Sequence, residues 1–322
     1  MGKWLTIMVV FFLGNTTFAF QADTLSHKKF LISLDEYSYI KPQFNVRSTG
    51  FTFRDVNKTA PAQNFLLPSY QSVGMAVNIF NLGLAYNFQL NKQPNTKGNF
   101  DFQTTWISEK VGIDFFIQRQ QLVTKGLRQL PLLTSNFLTN GYYIFNNKRF
   151  SISPAFNQTV KQNRPAGSFL LNMQVSRFNA ESDNFLIDIA DQPFYSVLGQ
   201  MDRMRTFSWG LMPGYAHTLI YREFYLTGMA SVGFAHYWQK YFTGEVGITD
   251  LNFGLISSTR IMAGYQRELF FSGFQFQLFL NTLNNDNLTY FWHHQVFRIF
   301  VGYRFSERGI FKKGINEIFS IK

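Results

Sequence analysis

Apolar and polar residues alternate with a period of two along most of this chain, the mark of β-strands with two unlike faces. Val73, Met75, Val77 and Ile79 oppose Gly74, Ala76 and Asn78, and past Phe80-Asn81 the phase continues through Leu82, Leu84, Tyr86, Phe88 and Leu90. Phe100, Phe102, Thr104 and Trp106 then oppose Asp101, Gln103 and Thr105, and Val111, Ile113, Phe115 and Ile117 oppose Gly112, Asp114, Phe116 and Gln118. The C-terminal half repeats the design in longer strands. Phe207, Trp209, Leu211, Tyr215 and Leu219 alternate with Thr206, Ser208, Gly210, Gly214 and Thr218. Phe274 to Leu280 and Phe297 to Phe305 carry the same two faces. The apolar face either packs into the core of a soluble sandwich or meets lipid around a transmembrane barrel. The polar face favours the barrel, because it mixes Gly, Ala, Asn, Gln and Ser with few Lys or Glu. Aromatic residues near strand ends, such as Trp106, Trp238 and Tyr303-Arg304-Phe305, suit the interfacial girdles of such a barrel.

Connections set the topology. Phe80-Asn81, 108–110, 220–222 and 267–269 read as tight turns, and 55–70, 91–98, 122–135, 180–203, 239–249 and 284–288 as long loops. Outer-membrane barrels place short turns at the periplasmic end and long loops outside. A first strand near 39–53 completes this parity. Pro154 interrupts the pattern over 149–160, which makes 147–166 a periplasm-side excursion and leaves twelve antiparallel strands. A further strand at 185–190 would make fourteen.

Composition adds a compartment. Residues 1–19 have Lys3, an apolar run from Leu5 to Leu13, and Thr17-Phe18-Ala19 with small residues where a signal peptidase cuts. This predicts a cleaved signal peptide, a barrel over 20–305, and a basic amphipathic periplasmic tail over 306–322. The apolar run is too short for a membrane-spanning helix. Aromatics reach 18% and charged residues only 15% of the 322 residues. Zero Cys excludes disulfides, thiolate metal sites and Cys nucleophiles. The net charge of +11 has no Lys/Arg stripe interleaved with aromatics, so nucleic acid is not the expected partner. Anionic outer-membrane lipid or lipopolysaccharide is, together with the barrel-assembly machinery during biogenesis.

Candidate chemistry lies on the polar face. Asp101, Gln103, Asp114, Gln118, Arg260, Arg298 and Arg304 are expected to line the lumen. Asp101 and Asp114, on consecutive strands, are expected to be near neighbours, balanced by the inward arginines as buried charges require. No His has a Ser two residues on. His236, His293 and His294 are expected at interfaces or in loops, and adjacent His293-His294 would face opposite ways, a poor metal-ligand spacing. No catalytic residue, metal or cofactor is assigned.

Several stretches resemble the DUF4421 family of outer-membrane barrel proteins from Bacteroidetes. They are Gly74 to Phe88, Asn99-Phe100-Asp101-Phe102-Gln103, Gly112-Ile113-Asp114-Phe115-Phe116, Tyr142-Tyr143-Ile144-Phe145-Asn146, Arg149-Phe150-Ser151, and Gln158, Gln162, Arg164 with Ala166-Gly167-Ser168. Pro165 departs from the family's Ser. The resemblance covers roughly 35–305; it implies a barrel in the outer membrane and carries no activity with it. The polar, charged lining without a recognisable catalytic set makes a non-enzymatic role the expected one, either structural or a narrow channel for small or amphipathic solutes. The alternatives are a lipid- or lipopolysaccharide-modifying outer-membrane enzyme and a soluble secreted β-sandwich that binds a ligand.

Overall fold

The computed structural model describes residues 30–34, 37–79, 82–90, 99–125, 128–156, 158–286 and 288–306. Residues 1–19 and 307–322, where the signal peptide and nearly all of the tail are expected, lie outside them, as do Phe80-Asn81 and 91–98.

Twelve longer strands build the wall: β2 (Tyr37–Asp55), β4 (Tyr70–Ile79), β5 (Leu82–Gln89), β6 (Phe100–Ile107), β7 (Val111–Lys125), β8 (Arg128–Ile144), β10 (Ala166–Glu181), β11 (Arg203–Tyr221), β12 (Phe224–Thr243), β13 (Val246–Gln266), β14 (Phe270–Asn284) and β15 (Leu288–Ser306). Three short ones accompany them: β1 (Leu31–Ser33), β3 (Gln63–Leu66) and β9 (Val160–Gln162). Every ladder is antiparallel, and β15 pairs with β2 from Leu288↔Asp55 to Ser306↔Tyr37. That last pairing closes the sheet on itself, which rules out the two-sheet sandwich. Where β4, β5 and β6 are too short to reach the top, β3 pairs with both β2 and β7 and fills the wall. Among the described residues no ladder joins β5 to β6.

The alternation reads directly onto the two faces. In β11, Thr206, Ser208 and Thr218 are buried while Phe207, Trp209, Leu211 and Leu219 are exposed. Phe234 is 69% and Phe253 73% exposed on the outer face. Water would not leave rings this bare over so large a surface, so lipid is the solvent this face is built for.

The ends differ from expectation. Three of the expected long loops, 122–135, 239–249 and 284–288, are instead taken up largely by strand ends: β7 runs to Lys125 and β8 starts at Arg128, β12 and β13 meet at a tight turn at 244–245, and β14 runs to Asn284 with β15 from Leu288. The cause is visible in β12, whose alternation runs unbroken through Tyr237, Gln239 and Tyr241 to the turn, where Gly244 supplies the positive φ of 58°. Its 20 residues span about 66 Å at about 3.3 Å each, or about 50 Å after tilting, twice the ~25 Å apolar band. The barrel therefore stands well clear of the lipid. Of the other expected long loops, 55–70 contains β3, 91–98 lies outside the described residues, and 182–202 remains a long connection. It contains a 3₁₀ segment (Gln192–Leu198) rather than a strand over 185–190, which settles the choice between twelve and fourteen long strands.

Candidate functional site

The lumen is packed in three layers. At the end where β2 finishes, the segment 182–202 folds back over the mouth. Leu186, Ile187, Tyr195, Leu198 and Met201 bury against Phe53, Phe65, Leu67 and Tyr290. Tyr195 donates from its hydroxyl to the carbonyls of Phe53 (3.3 Å) and Pro61 (3.5 Å). Burial, with the Asp55 and Asp191 carboxylates nearby, pushes its phenol up to about 12. Gln63 Nε2 donates to Asp191 at 2.6 Å, tying the cap to β3.

At the opposite end, the 145–165 segment fills the mouth. Phe150, Ile152 and Phe156 pack against Tyr142, Ile144, Leu170, Ala216 and Met229. Short β9 pairs with β1, so the beginning of the described chain clamps this plug. Lys41 Nζ donates to the carbonyl of Phe156 at 2.8 Å, and Arg304 Nη2 to that of Gln158 at 3.1 Å. Gln162 Nε2 donates to the carbonyls of Arg149 and Arg164. The family-like residues Gln158, Gln162 and Arg164 thus organise the plug rather than a reacting centre.

Between the two apolar layers lies a polar one. Arg260 pairs with Asp114, both almost wholly buried. Asp114 also accepts from Thr105 Oγ1 at 2.9 Å and Asn140 Nδ2 at 3.4 Å. Arg47 pairs with Asp101, which accepts from Gln118 Nε2 at 3.0 Å. Among the described residues Arg298 forms no ion pair; it donates to Asn45 Oδ1 (2.5 Å) and Gln275 Oε1 (3.4 Å). Arg304 likewise serves carbonyls, those of Arg267, Glu268 and Gln158. Arg260 lies 5.1 Å from the ring centre of Tyr142 and 5.3 Å from that of Phe156, an aromatic cradle for a cation. Gln103, half-buried on β6, faces the same interior beside Asp101.

Of the expected charge pairings, the structure brings together Asp114 and Arg260. Asp101 sits opposite Gln118, and Asp114 opposite Thr105. The two carboxylates are four residues apart along the ladder, about 13 Å at the strand rise. They are not neighbours, and each has its own arginine. The missing partner was Arg47, legible in the run Lys41, Gln43, Asn45, Arg47 and Thr49 at alternate positions of β2.

The histidines also differ from expectation. His236 and His293 are half-buried on the outer face, but His294 is fully buried in the lumen, because adjacent residues in a strand face opposite ways. Its Nδ1 is 2.9 Å from Thr49 Oγ1. A hydroxyl–imidazole pair is the first step of a nucleophile relay, which also needs a third group to orient the base. No acid is bonded to the other ring nitrogen, and neither residue is solvent-exposed. Among the described residues, no group of three His, Cys, Asp or Glu side chains could hold a metal ion.

Asp101 and Asp114, the lumenal carboxylates of this closed antiparallel ring, both lie within the motifs that resemble a known family. The chain belongs to the DUF4421 family. The match, to a domain of unknown function, spans residues 21–305, so it takes in the whole DUF4421 barrel. Solved structures similar to this DUF4421 chain include the outer membrane protease OmpT from Escherichia coli, at 9% identity and a TM-score of 0.39, covering 85% of this chain and 98% of that one. The translocator domain of the autotransporter NalP from Neisseria meningitidis is similar at 8% identity and a TM-score of 0.32, covering 83% and 88%. The attachment invasion locus protein Ail of Yersinia pestis, in complex with a heparin analogue, is similar at 10% identity and a TM-score of 0.26, covering 83% and 99%. None of the curated proteins matches the chain.

Proposed function

We propose that this DUF4421 protein is an outer-membrane barrel with a non-enzymatic, structural role, exported by a cleaved signal peptide over 1–19. The observation that carries the reading is the filled lumen, with 182–202 packed into one mouth and 145–165 into the other. An interior cavity lined by Asn136, Ser176, Tyr237, Asn281 and Trp292 measures only about 10 Å³, room for about one water. Among the described residues both mouths are filled, so the packing supports the structural reading over the narrow-channel one. The exposed aromatic outer face supports lipid as its surroundings, and Tyr303-Arg304-Phe305 at the end of β15 supports recognition by the barrel-assembly machinery.

Membrane fractionation with electrophoresis before and after boiling tests the location: a detergent-requiring band whose mobility shifts on heating is expected. Planar-bilayer recording tests the closed lumen. The full-length protein is expected to stay at the empty-membrane baseline, and reproducible single-channel steps would overturn the structural reading.

A further inference from the structure

The outer wall carries a feature that neither the closed lumen nor the apolar belt explains. Arg177 on β10, Arg205 on β11 and Lys240 on β12 all point outward and are exposed. Arg205 and Lys240 are directly opposite each other in the ladder. Like charges so placed repel and are normally avoided on a sheet face. Both crowd one ring, with Arg205 at 5.3 Å and Lys240 at 5.1 Å from the centre of Phe242, joined by Arg203 at 4.4 Å. Glu181 pairs with Arg203, at 4.0 Å. Among the described residues no ion pair serves Arg177, Arg205 or Lys240.

The depth of the cluster is informative. Immediately below Arg205 and Lys240, Phe207 and Trp238 pair across the same two strands, with ring centres 5.4 Å apart. Below them the outer face is apolar, through Leu211, Val232 and Phe234. Aromatic rings over an apolar band mark the membrane–water interface. Arg205 and Lys240 are one strand repeat above the rings and Arg177 is level with them, directly opposite Phe207, which puts the three cations at the ring-and-head-group height of the interface. Together they wall a hollow of about 450 Å³ floored by Phe207 and Trp238.

We infer that this hollow binds a phosphate group of a phosphorylated glycolipid of the surrounding leaflet, the lipid A type, with Arg177, Arg205 and Lys240 as its ligands and the acyl chains lying along the aromatic floor. The cations are held against mutual repulsion because a dianionic group between them repays it. A glycolipid phosphate is favoured over a soluble one by the floor, which offers an amphiphile a continuous apolar path from the phosphate to the belt. This inference rests on the membrane location proposed above, but not on the closed lumen.

The test is native mass spectrometry of the full-length protein in detergent, with bis-phosphorylated lipid A, the same lipid after enzymatic dephosphorylation, and phosphatidylglycerol as probes. Arg177→Gln/Arg205→Gln/Lys240→Gln is compared with Arg54→Gln/Lys58→Gln/Arg119→Gln, which removes equal charge from exposed positions elsewhere. Each interfacial cation is worth about fivefold toward an anionic lipid. The patch variant should therefore lose about a hundredfold in lipid A retention, and the control variant far less. The dephosphorylated lipid should be retained no better than by the patch variant. Equal retention by the two variants, or equal retention of phosphatidylglycerol and lipid A by the natural protein, would overturn the inference. Each sample is run on a gel before and after boiling, so that absence of a heat-shifted membrane band would fail the location reading separately. Without lipid, the patch variant should unfold no more easily than the natural protein, because it relieves repulsion.

Discussion

Replacing Asp114 with Asn should be among the most damaging single changes in this barrel. The carboxylate sits at 2% side-chain exposure against Arg260 at 1%, and accepts two further hydrogen bonds, from Thr105 and Asn140. The amide is isosteric, so no cavity forms; what changes is that a guanidinium is left in the interior without its counter-charge. Removing one partner of a buried pair costs about 3–5 kcal/mol, or roughly two to four decades in the folding equilibrium. Removing both charges is different. Asp114→Leu with Arg260→Met swaps a desolvated pair for apolar groups and should recover most of that loss. The exposed pair Lys125–Asp188 provides the scale, since Asp188 is 63% exposed and Asp188→Asn should cost less than about 1 kcal/mol. Urea unfolding in lipid vesicles, followed by tryptophan fluorescence and heat-shifted gel mobility, reads all of these. The reasoning fails if Asp114→Asn unfolds within about 1 kcal/mol of the natural protein, because the lumen would then be wet enough to solvate Arg260.

Other expectations follow from the same packing. On the outer face, Leu211→Arg should cost about 2–4 kcal/mol in vesicles if it lies near the middle of the bilayer, whereas a solvated face would tolerate it, and the same unfolding assay decides. Ser196 in the cap has φ 52° and ψ −131°, a conformation that glycine alone adopts without strain, so Ser196→Gly should slow proteolysis of the 182–202 segment. The phenol of Tyr195 ionises near 10 when exposed and about 12 in the cap. Its folded state therefore favours the neutral form, and the cap's stabilisation, complete below pH 10, is lost as the pH rises from there toward 12. Hydrogen exchange of the cap should show this alkaline loosening, and Tyr195→Phe should reduce it. Lys41→Met removes the bond to the Phe156 carbonyl and should expose 145–165 to protease without altering the heat-shifted mobility of the barrel.

Much of this architecture is legible in the alternation. Two faces, an aromatic exterior and twelve long strands follow from residues such as Phe207 to Thr218 and from the proline at 154. The alternation also continues past the membrane in β12 and β13, where sequence alone suggests loops. Periodicity says that a residue is in a strand, not whether lipid or water surrounds it. The lumenal residues were identifiable by phase, but their partners were not. Arg47 meets Asp101 although no ladder among the described residues joins β2 to β6, a relation set by the curvature of the wall rather than by spacing. The two plugs were the least legible part. Their apolar residues, such as Phe150, Phe156, Leu186 and Tyr195, occur in irregular segments with no period to read, and burial there depends on a barrel that already exists.

The pairing of β15 with β2 joins positions about 250 residues apart in the chain. Bringing such distant segments together is slow, and the entropy of closing the loop is spent before any closure contact forms. Both plugs are tethered at each end to neighbouring strands, β8 with β10 and β10 with β11, so they can settle onto an open, curling sheet long before the seam zips. Assembly of this protein is then a matter of wrapping rather than threading: the sheet furls around a filling it already holds. Pulse-labelling during refolding should accordingly show protection of Phe150, Ile152 and Tyr195 backbone amides before those of β2 and β15, and the reverse order would mean that the fillings enter through a finished ring.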